Sequence, residues 1–76
     1  LFVGGFATVT TEGNNLNARQ QPSTNAAVVT ILKAGTSYSI LSGPTVADGF
    51  TWWQIGTPQG RAWVAEGTTT EKWIIP

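Results

Sequence analysis

The side chains that could do chemistry are few. The chain has four carboxylates (Glu12, Asp48, Glu66 and Glu71), four cations (Arg19, Lys33, Arg61 and Lys72), and no histidine or cysteine in 76 residues. A serine triad or a thiol dyad needs an imidazole base or a thiol, so neither can be built. The carboxylates fall on different connections, and nothing in their spacing sets two of them across a cleft about 5–9.5 Å apart, as glycoside hydrolysis requires. Zinc favours His and Cys, and the acidic residues do not cluster as a calcium loop. No glycine-rich loop has the form that cradles a phosphate. The reading is a non-enzyme with no metal and no cofactor.

Binding chemistry is what remains. Charge balances at zero without any run of one sign, so there is no basic stripe for nucleic acid. Aromatics are plentiful for the length: four Trp, three Phe and one Tyr. Trp52 and Trp53 are neighbours on an extended segment and must point to opposite faces. Ile55 shares the face of Trp53, which therefore goes inward, while Trp52 and Gln54 look outward. Asn17 and Arg19 alternate with Leu16 and Ala18 and reach solvent. A rigid indole suits stacking against a peptide or a sugar, and a guanidinium can grip a carboxylate through two parallel hydrogen bonds. Asp48 lies in the segment Gly43–Thr51, read as the longest irregular loop and so the natural place for functional variation. The candidate ligand-binding residues are Trp52, Gln54, Asn17, Arg19 and Asp48. Trp63 and Trp73 are read as core or barrel-closing residues, and Tyr38 as mostly buried beside Ile40.

The elements that must position these groups are short strands. Ala7–Thr11 is β-prone, and Glu12-Gly13-Asn14-Asn15 has turn composition. Leu16–Arg19 alternates as a half-buried strand, and Pro22-Ser23-Thr24-Asn25 breaks it. Val28–Leu32 is β-branched and reads as a strand rather than a helical turn. Ala34-Gly35 turns the chain into Thr36–Ser42. Trp52–Ile55 and Arg61–Ala65 form a hairpin about Thr57-Pro58-Gln59-Gly60, with proline and glycine where a type I turn favours them. Lys72–Pro76 closes the series. Seven short β segments with turn residues between them and no convincing helix indicate an all-β fold, a small barrel of about five to seven antiparallel strands.

The ordered set Leu16-Asn17-Ala18-Arg19, Pro22-Ser23-Thr24, Leu32-Lys33-Ala34-Gly35-Thr36, Trp52-Trp53-Gln54-Ile55, Gly60–Gly67 (GRAWVAEG) and Trp73-Ile74 before Pro76 resembles the bacterial SH3-like (SH3b) domain family, over Ala7 to Pro76. Two positions depart from the pattern. Ala18 replaces a larger aliphatic, leaving volume for Trp53 or Trp63, and Ala62 replaces a glycine. The resemblance implies an SH3-like barrel at residues 7–76 serving as a non-catalytic module of a larger secreted or cell-envelope protein. It would bind the peptide or glycopeptide of cell-wall peptidoglycan. In eukaryotic relatives of the fold, the first tryptophan of such a pair lines the ligand groove, which points to Trp52. The tyrosine-rich first loop that grips proline helices has no counterpart, since Thr10–Gln21 holds no tyrosine.

Residues 1–6 read as an apolar arm or linker, too short to span a membrane and without the basic flank of a signal peptide. Starting at Leu1, the chain reads as a piece of a longer protein. The alternative function is structural: a module that packs on a neighbouring domain, or self-associates as a homodimer through its edge strands and the Leu1–Phe6 arm. A sugar platform made of Trp52 and Trp63 is a third reading, and requires both rings exposed on one face.

Overall fold

The computed structural model describes every residue from Leu1 to Pro76. Seven strands form one antiparallel sheet that curls into a half-barrel, with no helix: β1 (Phe6–Val9), β2 (Leu16–Arg19), β3 (Val28–Leu32), β4 (Ser37–Ala47), β5 (Phe50–Thr57), β6 (Gly60–Ala65) and β7 (Ile74–Ile75). The spatial order is β3-β2-β6-β5-β4-β1-β7. The β strands thus follow the alternation and the β-branched runs, and the architecture is the SH3-like barrel that the sequence indicates.

Side chains alternate cleanly across the curled sheet. Ala7, Val9, Ala18, Leu32, Ile40, Trp53, Ile55, Ala62, Val64 and Ile74 fill the inside, with Tyr38 packed partly buried against them. Removing each of the larger aliphatics from water contributes roughly 1.5–3 kcal/mol. Ala18 and Ala62 are fully enclosed. Trp53 joins them in the core, its indole N–H donating to Glu66 Oε1 (2.9 Å). Trp63 is instead half-buried on the outer face, in register with Arg19 and Gln54.

The segment Gly43–Thr51 is a correction. It is not a loop: β4 runs on to Ala47 through two register irregularities, and only Asp48 and Gly49 lie between β4 and β5. Asp48 and Gly49 both have positive φ (53° and 80°). That is the backbone of the tight two-residue hairpin which Asp-Gly favours. Pro44 suggests a break, but at a bulge its missing N–H interrupts no ladder bond. Gly43 has φ of 124°, and a Cβ there would meet the Trp52 carbonyl oxygen and Trp53 Cε3, each at 3.0 Å. Only glycine lets the bulged strand lie this close to β5.

The N-terminal arm folds back on its own barrel. Gly4 N–H donates to the Ile40 carbonyl (3.0 Å), and Ile40 N–H to the Gly5 carbonyl (2.9 Å), so pairing with β4 begins before β1 does. Leu1 packs against the core, while Phe2, Val3 and Phe6 stay exposed. At the other end, the chain after β6 bridges Gly67 to Lys72 and returns to β1. Thr10 N–H donates to the Trp73 carbonyl (2.9 Å), and Trp73 N–H to the Glu66 carbonyl (2.9 Å). These bonds draw the two ends of the chain together beside β1.

Candidate functional site

Alternation puts Phe50, Trp52 and Gln54 of β5 on its outer face. Trp52 lies opposite Ala65 of β6, and Arg19 of β2 lies opposite Trp63. Above this row stand the β1–β2 turn, Glu12 to Asn15, and the segment carrying Glu71 and Trp73. Between them is a cleft of about 380 Å³. Its apolar wall is Phe50, Trp52, Ala65 and Trp73, and its polar rim is Glu12, Asn14, Asn15, Asn17, Arg19, Thr24 and Glu71.

The aromatic wall is a packed unit. The Phe50 ring meets Trp52 edge-on (centroids 6.1 Å apart, planes at 77°) and lies tilted against Trp73 (5.6 Å, 34°). Both are ordinary attractive aromatic arrangements. Each indole nitrogen is fixed: Trp52 Nε1–H donates to the Ala47 carbonyl (2.8 Å) and Trp73 Nε1–H to Glu71 Oε1 (3.1 Å). Arg19 Nη1 donates to the Ala26 carbonyl (2.8 Å). That bond holds the guanidinium at the end of β2 and leaves its remaining N–H groups for other partners.

Of the five candidates, Trp52, Asn17 and Arg19 come together in this cleft. Trp52 faces away from the barrel core as its alternation requires, but it is not a free outward ring. Only 2% of its surface is exposed, with the Phe50 ring set edge-on against it. It forms the base of the cleft. A sugar platform of Trp52 and Trp63 therefore lacks its two exposed rings. Gln54 is half-buried on the outer face between Ser42 and Trp63, and is not among the residues lining the cleft. Asp48 also lies outside it. Its Oδ2 accepts from Thr24 N–H (2.9 Å), Ser23 Oγ (3.1 Å) and Thr24 Oγ1 (3.2 Å), tying the β4–β5 hairpin to the β2–β3 connection. The Thr24 backbone bond, with help from the Ser23 and Thr24 hydroxyls, holds its carboxyl below the usual range. Asp48 braces Thr24, which does line the cleft.

Phe50, Trp73, Glu12 and Glu71 are cleft residues that sequence reasoning missed. Phe50 was reachable, since two residues before Trp52 on one strand means the same face. The sequence suggests a core or barrel-closing role for Trp73; its backbone does close the barrel, while its ring turns to the cleft. Nothing local announces the carboxylates, which are brought in by a turn at one end of the chain and a bend near the other.

The family model for the bacterial SH3 domain matches residues 14–70, well over half of the chain. The chain is a bacterial SH3 domain. The matched span runs from β2 through β6 and takes in Asn17, Arg19, Phe50 and Trp52, whereas Glu12, Glu71 and Trp73 fall outside it. Bacterial SH3 domains are in general binding modules rather than enzymes. Neither a curated protein nor a solved structure matches the chain.

Proposed function

We propose that this bacterial SH3 domain is a non-catalytic targeting module of a secreted or cell-envelope protein, and that it binds the peptide part of cell-wall peptidoglycan. The observation that carries the reading is the cleft: a three-ring aromatic wall rimmed by Asn17, Arg19 and other polar groups on one face of a small barrel. Such a surface suits a short extended peptide. Phe50 and Trp73, seated over the buried Trp52, supply desolvated contact, while the polar rim sets register through hydrogen bonds. A cleft this open gives modest affinity for one copy, and linkage to a second module raises it.

The test is sedimentation with purified bacterial walls, comparing the domain with Asn17→Ala. Asn17 is half-buried on the rim and outside the core, so the variant keeps the barrel. Co-sedimentation of the wild type and its loss in the variant support the reading. Absence of wall binding by the wild type sinks it.

A second reading rests on a different face. Phe2, Phe6, Leu41 and Ile75 are exposed on or beside the β4-β1-β7 end of the sheet, and would favour packing against a neighbouring domain or a second copy. Analytical ultracentrifugation separates the two. A dimer whose wall binding is absent selects the structural role.

A further inference from the structure

The cleft has a charge direction along β2. Glu12 lies in the turn just before this strand, next to Gly13, whose backbone is packed on the backbone of Trp73. Glu71 is fixed at the same end by the Trp73 indole (3.1 Å). Arg19 ends the strand, held by the Ala26 carbonyl (2.8 Å). β2 runs from Leu16 to Arg19, three rises of about 3.3 Å, so the strand alone sets roughly 10 Å between Arg19 and the turn that follows Glu12. Phe50 and Trp73 line the cleft over the buried Trp52, and Glu12 lines it at the same end as Glu71 and Trp73.

An ammonium group is what this acidic end fits. A cation set against an indole gains from the ring's negative face, and two carboxylates at the mouth reinforce it. At the other end, a guanidinium with N–H groups to spare fits a carboxylate. The spacing corresponds to about four residues of extended peptide. We infer that the domain reads a short zwitterionic peptide in one direction, with its free amino group between Glu12, Glu71 and Trp73 and its carboxylate on Arg19. This rests on the peptide-binding reading above and adds to it: a peptide whose amine is blocked by an acyl group or a cross-link is excluded. The domain would therefore distinguish open wall peptides from cross-linked ones.

Tetra-alanine, its N-acetyl form and its C-terminal amide serve as probes, titrated into the ¹⁵N-labelled domain while the Trp73 indole N–H resonance is followed. The expected result is saturable binding of free tetra-alanine. N-acetylation should weaken binding by about tenfold or more, and amidation by several-fold. Glu71→Gln with Glu12→Gln should abolish the penalty of N-acetylation while leaving the amide's effect in place. Arg19→Gln should do the reverse. Both exchanges lie outside the core, and the spectrum itself reports that the barrel is intact. Equal affinity for the free and acetylated peptides overturns the inference, as does the absence of tetra-alanine binding up to about 10 mM. Wall sedimentation decides the parent reading separately. If walls bind through Asn17 while acetylation makes no difference, the groove stands and its polarity falls. If walls do not bind, both fall.

Discussion

Gly13 offers the sharpest test of how the cleft is held. Its φ lies outside the left-handed region, so alanine can adopt its backbone conformation without strain. The obstacle is distance. A Cβ on Gly13 would stand 2.4 Å from the Trp73 carbonyl oxygen and 2.8 Å from Trp73 Cα. Ordinary contact for such atoms is about 3.5 Å, so the two chains must separate by about 1 Å. Neither can yield by rotating a side chain. Gly13 N–H is tied to Thr10 (3.1 Å), and Thr10 N–H is tied to that same Trp73 carbonyl (2.9 Å). Overpacking of this kind costs about 1–3 kcal/mol. A domain of this size has a stability of roughly 4–11 kcal/mol, so a single methyl group removes a large part of it. Urea unfolding of Gly13→Ala beside Glu12→Ala, an exposed neighbour, measures the difference. The expected midpoint falls for Gly13→Ala with the slope unchanged, and a melting temperature lower by about 4–8 °C per kcal/mol accompanies it. Since Trp73 also lines the cleft, peptide binding should weaken in the folded fraction. If Gly13→Ala lies within about 0.5 kcal/mol of Glu12→Ala, the close approach does not constrain the fold, and the reasoning fails.

The other perturbations separate packing from charge. Trp52→Ala removes a fully buried ring and the bond it donates to the Ala47 carbonyl, so chemical denaturation should show a loss of about 3–5 kcal/mol. Trp52→Phe keeps most of the apolar area and should lose about 1–2 kcal/mol; equal costs for the two would mean the ring contributes only its hydrogen bond. Asp48 is held below its usual range in the folded state by the Thr24 and Ser23 bonds. Its contribution is therefore complete above the unfolded carboxyl value of about 3.9 and is lost as pH falls through the lower folded value. Asn tolerates positive φ, so Asp48→Asn keeps the hairpin. In thermal melts the variant should show a shallower acid decline below about pH 4, and an unchanged acid limb would exclude the brace.

Most of the strands could be read because period-two alternation is a local property. Leu16/Ala18 against Asn17/Arg19, and Trp53/Ile55 against Trp52/Gln54, fix faces without any knowledge of partners. The continuation of β4 could not be read the same way. Gly43 and Pro44 look like punctuation, whereas Gly43 is there because β5 passes within contact distance of it. The cleft was legible by half. Alternation shows which way Asn17, Arg19 and Trp52 point, but it cannot show what covers them. The rest of the lining comes from Phe50, the turn at Glu12–Asn15 and Trp73, and two of these three are set by the return of the chain's far end. Asp48 shows the same limit from the other side: its hairpin is local and legible, while its three bonds to Ser23 and Thr24 depend on a connection 24 or 25 residues away.

The bond between Thr10 and the Trp73 carbonyl has a consequence for the order in which the domain becomes competent. The cleft's walls come from residues near the start of the chain and from Glu71 and Trp73 near its end, so it cannot exist until a loop of about sixty residues has closed. Closing a loop that long is entropically slow compared with forming the local hairpins. During synthesis, the β4–β5 and β5–β6 hairpins can assemble while the groove is still absent. A partly made or clipped chain would carry much of the barrel and none of the recognition. By mass action, a ligand seated in the groove clamps the two ends and slows the escape of the final strand, so exchange protection at Trp73 and Ile74, on the closing segment, would report occupancy.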